Sequence, residues 1–505
     1  MVSTLPADGD PALAGSSEDA HEDPHTDILD TSAAGASVIR GSVQRLVGYG
    51  LGSLATVASS AVVIRHLGVI DTGHFLTVTA LVTIVATVSD LGLTGFAVRE
   101  YSMGTRLHGR QLLRNLLGIR IVLATAGLFV AVLFGLLVGY PAVMVIGTMI
   151  AGLGTIALVI QDGVSIPLQV GLRFGWVAGL QLAIQVGVAI EAVLLVLAGS
   201  GLLPFFALQL PVVIPVLVVT MVVGGHDSRL VPSIEPDQWR QMVWRILPFS
   251  GAVVLSVVYF QIAQVMVSLL SSSTQTGYFG VSFRVLVSFT TLPPLLVSTA
   301  LPLLSRAARN DADRFDYAGR RLVETMVLAG CGLALTLFLG AAFAIRVVGG
   351  SGFEQSVEVL RILAVALLGT FVIGARGYLL LTLDRLRAML VCNAVALGVV
   401  LACGIPLIGA YGAKGAAISM VAAELTLALC YEWSLTLERP RLRLDRGFAA
   451  RAAAATLLAA ALASALPLTS LPTALVGLAI YLASLLALGI VPAEIRQALL
   501  PRRPT

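Results

Sequence analysis

Residues 99–138 read REYSMGTRLHGRQLLRNLLGIRIVLATAGLFVAVLFGLLV. Four arginines (Arg99, Arg106, Arg110 and Arg114) lead into a run from Leu116 to Val138 whose one charged residue is Arg120. A helix crosses the hydrocarbon layer in about 20 residues, so this run predicts one crossing with a basic connection before it. It is continuously apolar, whereas a membrane strand alternates, so helices rather than a barrel are implied. Working outward, the same reading gives a first block of six spans at Leu46–Val63, Phe75–Ala97, Leu116–Val138, Ala142–Gly163, Gly175–Ala198 and Leu202–Val223. A second block of six follows at Leu247–Leu270, Gly277–Leu301, Leu322–Ala344, Val357–Leu381, Ala388–Ile408 and Ala410–Leu435, then a pair at Phe448–Leu466 and Thr473–Val491. With 57% hydrophobic and 12% charged residues in 505, a soluble domain is excluded.

The connections test this layout. Arg306, Arg309, Arg314, Arg320 and Arg321 fall between spans eight and nine, and Arg439, Arg441, Arg443, Arg446 and Arg451 between twelve and thirteen. With the basic connection after span two, all three lie on one side, and the other side carries little beyond Arg65, Arg346 and Lys414, the only lysine. Arginine-rich loops stay in the cytoplasm, so both termini are expected there. The organisation expected is an acidic, disordered tail over 1–40, a first lobe over 41–225, a second over 226–436, and a helix pair with a short basic tail over 437–505. A cleavable signal peptide would need a basic start and a short apolar core, which this tail lacks. Arginine in place of lysine, with abundant Ala, Val, Leu and Gly, is the composition of a GC-rich bacterial genome.

Several chemistries find no support. Connections on the arginine-poor side are short, no GxxxxGK[ST] run exists, and the six histidines lack ligand spacing. Cys331, Cys392, Cys403 and Cys430 all fall within spans and read as packing residues. No cofactor, nucleic acid or enzymatic activity is expected, and transport is the leading class. Thr72-Gly73-His74-Phe75 opens span two and Thr276-Gly277-Tyr278-Phe279 opens span eight. Six spans in each block give both halves the same topology, so the repeat is parallel, about an axis along the membrane normal, with a cavity between two lobes.

His66-Leu67-Gly68, Thr72-Gly73-His74-Phe75, Ser89-Asp90-Leu91-Gly92-Leu93 and Ala97-Val98-Arg99-Glu100 resemble the opening signature of the Wzx-type polysaccharide flippases. These belong to the MOP exporter superfamily, with the MATE drug exporters and the lipid II flippases. Phe283-Arg284, Ala300-Leu301-Pro302-Leu303-Leu304-Ser305-Arg306 and Gly409-Ala410-Tyr411-Gly412-Ala413-Lys414-Gly415 are similar to later family motifs, in matching order over roughly residues 40 to 435. The resemblance implies a MATE-like fold that carries a polyprenyl-diphosphate-linked oligosaccharide from the inner to the outer leaflet of a bacterial cytoplasmic membrane. Membrane lipids and polysaccharide polymerases or glycosyltransferases would be its partners. One departure stands out: span seven reads Tyr259-Phe260-Gln261-Ile262-Ala263-Gln264, without the arginine and aspartate that these flippases commonly carry there.

Ionisable groups inside spans are costly and usually face an interior cavity. Arg284 matches the arginine that resembling flippases place in the central cavity, and is expected to bind the diphosphate through charge-assisted bonds or else to form a structural ion pair with Asp90. Arg376 and Arg120 are further cavity candidates, with Gln185, Gln261 and Gln264 as hydrogen-bonding partners for sugar hydroxyls. Asp90 and Arg99 form either a helix-end pair or a gate, and Glu191 and Glu424 are candidates for coupling to a cation gradient. The rival readings are a MATE-like small-molecule exporter, although span one holds no acid, and a membrane scaffold without transport.

Overall fold

The computed structural model describes residues 32–94, 106–171, 173–225, 228, 230–233, 235–297, 304, 307 and 311–490. Most of the expected acidic tail, the basic C-terminal end, Ala97-Val98-Arg99-Glu100, and Pro302, Leu303, Ser305 and Arg306 lie outside the described residues. The chain divides into two compact units, Met1–Gly48 and Tyr49–Thr505. Among the described residues, thirteen helices are long and apolar enough to cross a membrane.

Spans one and two share one helical run, α1 (Ser32–Asp90), broken at Gly68 (φ 72°, ψ −174°). The connection expected from residue 64 to 74 is thus helical on both sides of a single glycine, whose left-handed φ a side chain would resist. Thr56 and Thr87 both line the same cavity. On a straight helix, 31 residues would separate them by about 46 Å, so the chain folds back on itself at Gly68.

The first block continues with α2 (Arg106–Val138), α3 (Ala142–Val170), α4 (Phe174–Leu197), a short α5 (Leu202–Phe205) and α6 (Leu210–Val223). Span six, which the sequence predicts as continuous, breaks over 206–209, in a stretch where Pro204, Pro211 and Pro215 each remove a backbone donor. The second block holds α7 (Pro236–Leu270), α8 (Ser273–Thr290), α9 (Ala312–Val348), α10 (Ser356–Thr382), α11 (Leu386–Tyr411) and α12 (Ala413–Glu438). α7 and α9 begin about ten residues before their expected spans. Asp311 caps α9 by accepting from the Arg314 amide at 2.9 Å, which anchors a charged extension of that helix. The turn between spans eleven and twelve is Gly412 (φ 56°), three residues beyond the expected Gly409.

Helices pack within their blocks: α2 on α3 and α3 on α6 in the first, α7 on α11 and α10 on α9 and α12 in the second. The second block has one contiguous core around Phe279, Phe315, Leu363 and Phe371. The first has several small apolar clusters instead. α13 (Arg446–Ser464) and α14 (Ser470–Ala487) attach to α9, where the Tyr481 hydroxyl donates to the Leu328 carbonyl at 2.9 Å and its ring covers Gly332.

The lobes touch at the two repeated Thr-Gly pairs. A methyl group added to Gly277 would lie 2.1 Å from the Val69 carbonyl, and one added to Gly73 would lie 2.8 Å from the Ser273 carbonyl. Around this backbone contact, the Gln264 amide reaches Thr77 Oγ1 (3.3 Å) and the Thr276 carbonyl (3.4 Å). Tyr140 bonds Ser268 (2.6 Å), and Arg65 donates to the carbonyls of Arg346 and Val347 at the end of α9.

At the arginine-rich end of the second lobe, Arg376 is fully buried; it pairs with Glu432 and donates to the Leu442 carbonyl (2.9 Å). Arg439 pairs with Asp316 (3.5 Å) and lies over the Phe315 ring, while Arg441 pairs with Asp313 and Arg385 with Glu438. The loop into α13 is thereby clasped to α9, α10 and α12. Removing one partner of a buried pair strands the other, at a cost of about 3 kcal/mol. Arg376→Met is therefore expected to lower the unfolding midpoint in detergent, and Arg376→Met with Glu432→Leu to recover most of the loss; a double variant no better than the single would refute the clasp.

Candidate functional site

A cavity of roughly 500 Å³ opens in the first lobe, walled by both arms of α1, by α3 and α4, and by the α5–α6 break. Its apolar side carries Phe75, Phe205 and Phe206, with Phe75 and Phe206 rings 5.8 Å apart. Its polar side carries hydroxyls and amides, and its charged group is Arg284, which reaches in from α8 of the other lobe.

Arg284 donates through Nε (3.1 Å) and Nη2 (2.9 Å) to the Ser60 hydroxyl. Among the described residues, no acidic side chain lies within ion-pair distance of it. The alternative of a pair with Asp90 is not what the structure holds, because Asp90 accepts from Arg120 and from Thr94 (2.7 Å). A cation in a low-dielectric cavity with a neutral partner leaves most of its field directed at whatever enters.

The other expected cavity cations sit elsewhere. Arg120, 1% exposed, is committed to Asp90 and Thr94, with Asp162 nearby; Arg376 belongs to the clasp described above. Arg99 lies outside the described residues. Gln185 lines the cavity, and its Oε1 is buried without a partner. Gln264 instead bridges the lobes, and Gln261 is not part of the wall. Glu424 is 1% exposed at the middle of α12, where it accepts from Tyr259 (3.1 Å) and Thr370 (3.2 Å), with no basic group in ion-pair range among the described residues. Glu191 is partly buried with one oxygen unpartnered, and does not line the cavity although its neighbours along α4, Val188 and Ala192, do.

Several wall residues escaped the sequence reading. Ser60 is one, Gln209 at the α5–α6 break another, and Thr79, Thr83 and Thr87 form a row along α1. Threonine at every fourth position of an otherwise apolar helix puts three hydroxyls on one face, a signal that was present in the sequence. Among the described residues, no cluster of His, Cys, Asp and Glu is fit to hold a metal.

The family described as polysaccharide biosynthesis protein matches residues 62–358. Among solved structures, a lipid II flippase, MurJ, in an inward closed conformation superposes with a TM-score of 0.71 at 12% identity, covering 88% of this chain and 98% of that one. An inward-facing multidrug resistance MATE transporter of the MOP superfamily gives 0.62 at 10% identity, covering 79% and 98%. A point mutant of the Vibrio cholerae MATE transporter VcmN gives 0.51 at 14%, covering 81% and 99%. No curated protein matches in sequence. At these identities the structural likeness establishes the fold: two six-helix lobes with an appended pair.

Arg284 and Arg376 should differ in a melting experiment. Arg376 holds a buried pair, whereas Arg284 is a partly buried charge without one among the described residues, so Arg284→Leu is expected to leave the midpoint unchanged or raised by a degree or two, and Arg376→Leu to lower it clearly. A large loss of stability in Arg284→Leu would make that residue a structural one.

Proposed function

Since the chain belongs to the polysaccharide biosynthesis protein family and has the MOP exporter fold, we propose that it flips a polyprenyl-diphosphate-linked oligosaccharide across a bacterial cytoplasmic membrane by alternating access. The observation that carries this reading is Arg284, a cation set in a cavity within the membrane and held by a hydroxyl rather than by a carboxylate. A diphosphate cannot cross hydrocarbon unaided, and a guanidinium with donors to spare lowers that barrier through charge-assisted bonds. The polyprenyl chain needs no such help and stays in lipid.

The orientation follows from the arginine-rich loops, which belong in the cytoplasm together with both termini. The seam at Gly73 and Gly277 is then the outer closure, and the cargo enters from the inner leaflet. Glu424, buried among neutral donors, is the group placed to take up a proton or small cation and couple the cycle to a gradient, with Glu191 as the second candidate. The clasped inner loops are a surface on which glycosyltransferases or a polymerase would dock.

Deletion of the gene is expected to leave a polyprenyl-diphosphate oligosaccharide on the inner leaflet and to remove a surface glycan. Arg284→Ala should reproduce that phenotype at normal membrane levels, with Arg284→Lys restoring part of the export, because it keeps the charge but loses the bidentate geometry. Retained export in Arg284→Ala would end the reading. Unchanged glycans with altered sensitivity to cationic drugs would establish the MATE-like exporter instead.

A further inference from the structure

The cavity wall separates its donors from its acceptors. A hydroxyl carries one proton and two lone pairs. Thr79, Thr83 and Thr87 each donate that proton to the backbone carbonyl four residues earlier: Phe75 at 2.8 Å, Thr79 at 2.7 Å and Thr83 at 2.9 Å. Thr155 across the cavity does the same with Ala151 (3.0 Å). Such back-bonding turns the proton to the backbone and leaves the lone pairs of the hydroxyl facing the cavity. One face of the cavity is therefore a ladder of acceptors, whose members are eight residues and about 12 Å apart from first to last. Donors are concentrated elsewhere, in the Arg284 guanidinium and in the amides of Gln181, Gln185 and Gln209.

The Arg284–Ser60 contact and the threonine ladder also lie at different depths. Ser60, which holds Arg284, is eight residues before Gly68, about 12 Å along its arm; Thr79 is eleven residues after Gly68, about 16 Å along the other. The ladder thus begins beyond the level of Arg284 and descends toward Asp90 and the arginine-rich end. A diphosphate offers acceptors only and gains nothing from lone pairs so presented, whereas sugar hydroxyls are donors that these oxygens satisfy. A sugar carboxylate gains a bond there only by drawing the hydroxyl proton off its backbone carbonyl, a cost that a sugar hydroxyl does not meet.

We propose that the cavity takes its cargo in one orientation, with the diphosphate at Arg284 and Ser60 and the first sugars donating hydroxyls to Thr79, Thr83 and Thr87, and that this ladder selects neutral, hydroxyl-rich sugars over uronic acids next to the diphosphate. This deepens the flippase reading and rests on it. The glutamines complete the selection, since Gln185 brings an unpartnered buried Oε1 as a further acceptor and an amide donor for ring or acetamido oxygens.

The test is binding of farnesyl diphosphate to the purified full-length protein, with the diphosphate bare, bearing a neutral disaccharide, or bearing the same disaccharide with a uronic acid at the first position. The neutral disaccharide is expected to tighten binding roughly tenfold over the bare carrier, as two or three hydrogen bonds would, and the uronic acid to erase that gain. Thr83→Val with Thr87→Val, which preserves shape and deletes the acceptors, should abolish the sugar's increment, and Thr83→Ser with Thr87→Ser should restore it. Equal binding of the neutral and bare ligands, or of the neutral and acidic ones, would overturn the ladder while leaving the flippase reading intact. Failure of every diphosphate ligand to bind, with Arg284→Ala indistinguishable from the parent, would overturn both.

Discussion

Lipid offers no water to a stray hydrogen-bonding group, and the rest of this structure answers that constraint. Threonines on the transmembrane helices return their protons to the preceding turn. Arg120 finds Asp90, and Arg376 finds Glu432. Against these paired arginines, Arg284 is held by a hydroxyl, with no acid within ion-pair distance among the described residues, and gives the cavity its sign of charge.

The two lobes answer the constraint differently. The second buries a continuous core, reinforced by the ionic clasp at its arginine-rich end and by α14 on α9. The first distributes its apolar side chains among separate clusters with the cavity between them. A close-packed lobe thus carries one long charged side chain into a looser lobe, so the site is complete only when the halves are together.

Composition and the alternation of charge with apolar runs were enough to read helical class, span count and the six-plus-six repeat, because crossing length and loop charge are imposed by the bilayer rather than by tertiary detail. The Thr-Gly repeat was legible as a repeat, but not as the place where the lobes touch, since contact across 200 residues leaves no local trace. Arg284 was conspicuous as a charge within a span, and it was the family resemblance that singled it out. Arg120 and Arg376 were equally conspicuous, and only the fold distinguishes a charge with a carboxylate in reach from one without. Gly68 hid the span-one turn, as one residue suffices where a loop was expected. The threonine row went unread because threonine in a membrane helix usually does nothing but bond its own backbone; here that habit fixes which way the hydroxyls face chemically.

The seam at Gly73 and Gly277 is made largely of main chain. Main-chain atoms cannot be protonated within any ordinary range of acidity, screened by salt or oxidised. A contact of this kind holds equally in brine and in fresh water. Whatever would part the lobes there must act from elsewhere in the molecule, through the shape of the lobes rather than through the chemistry of the contact.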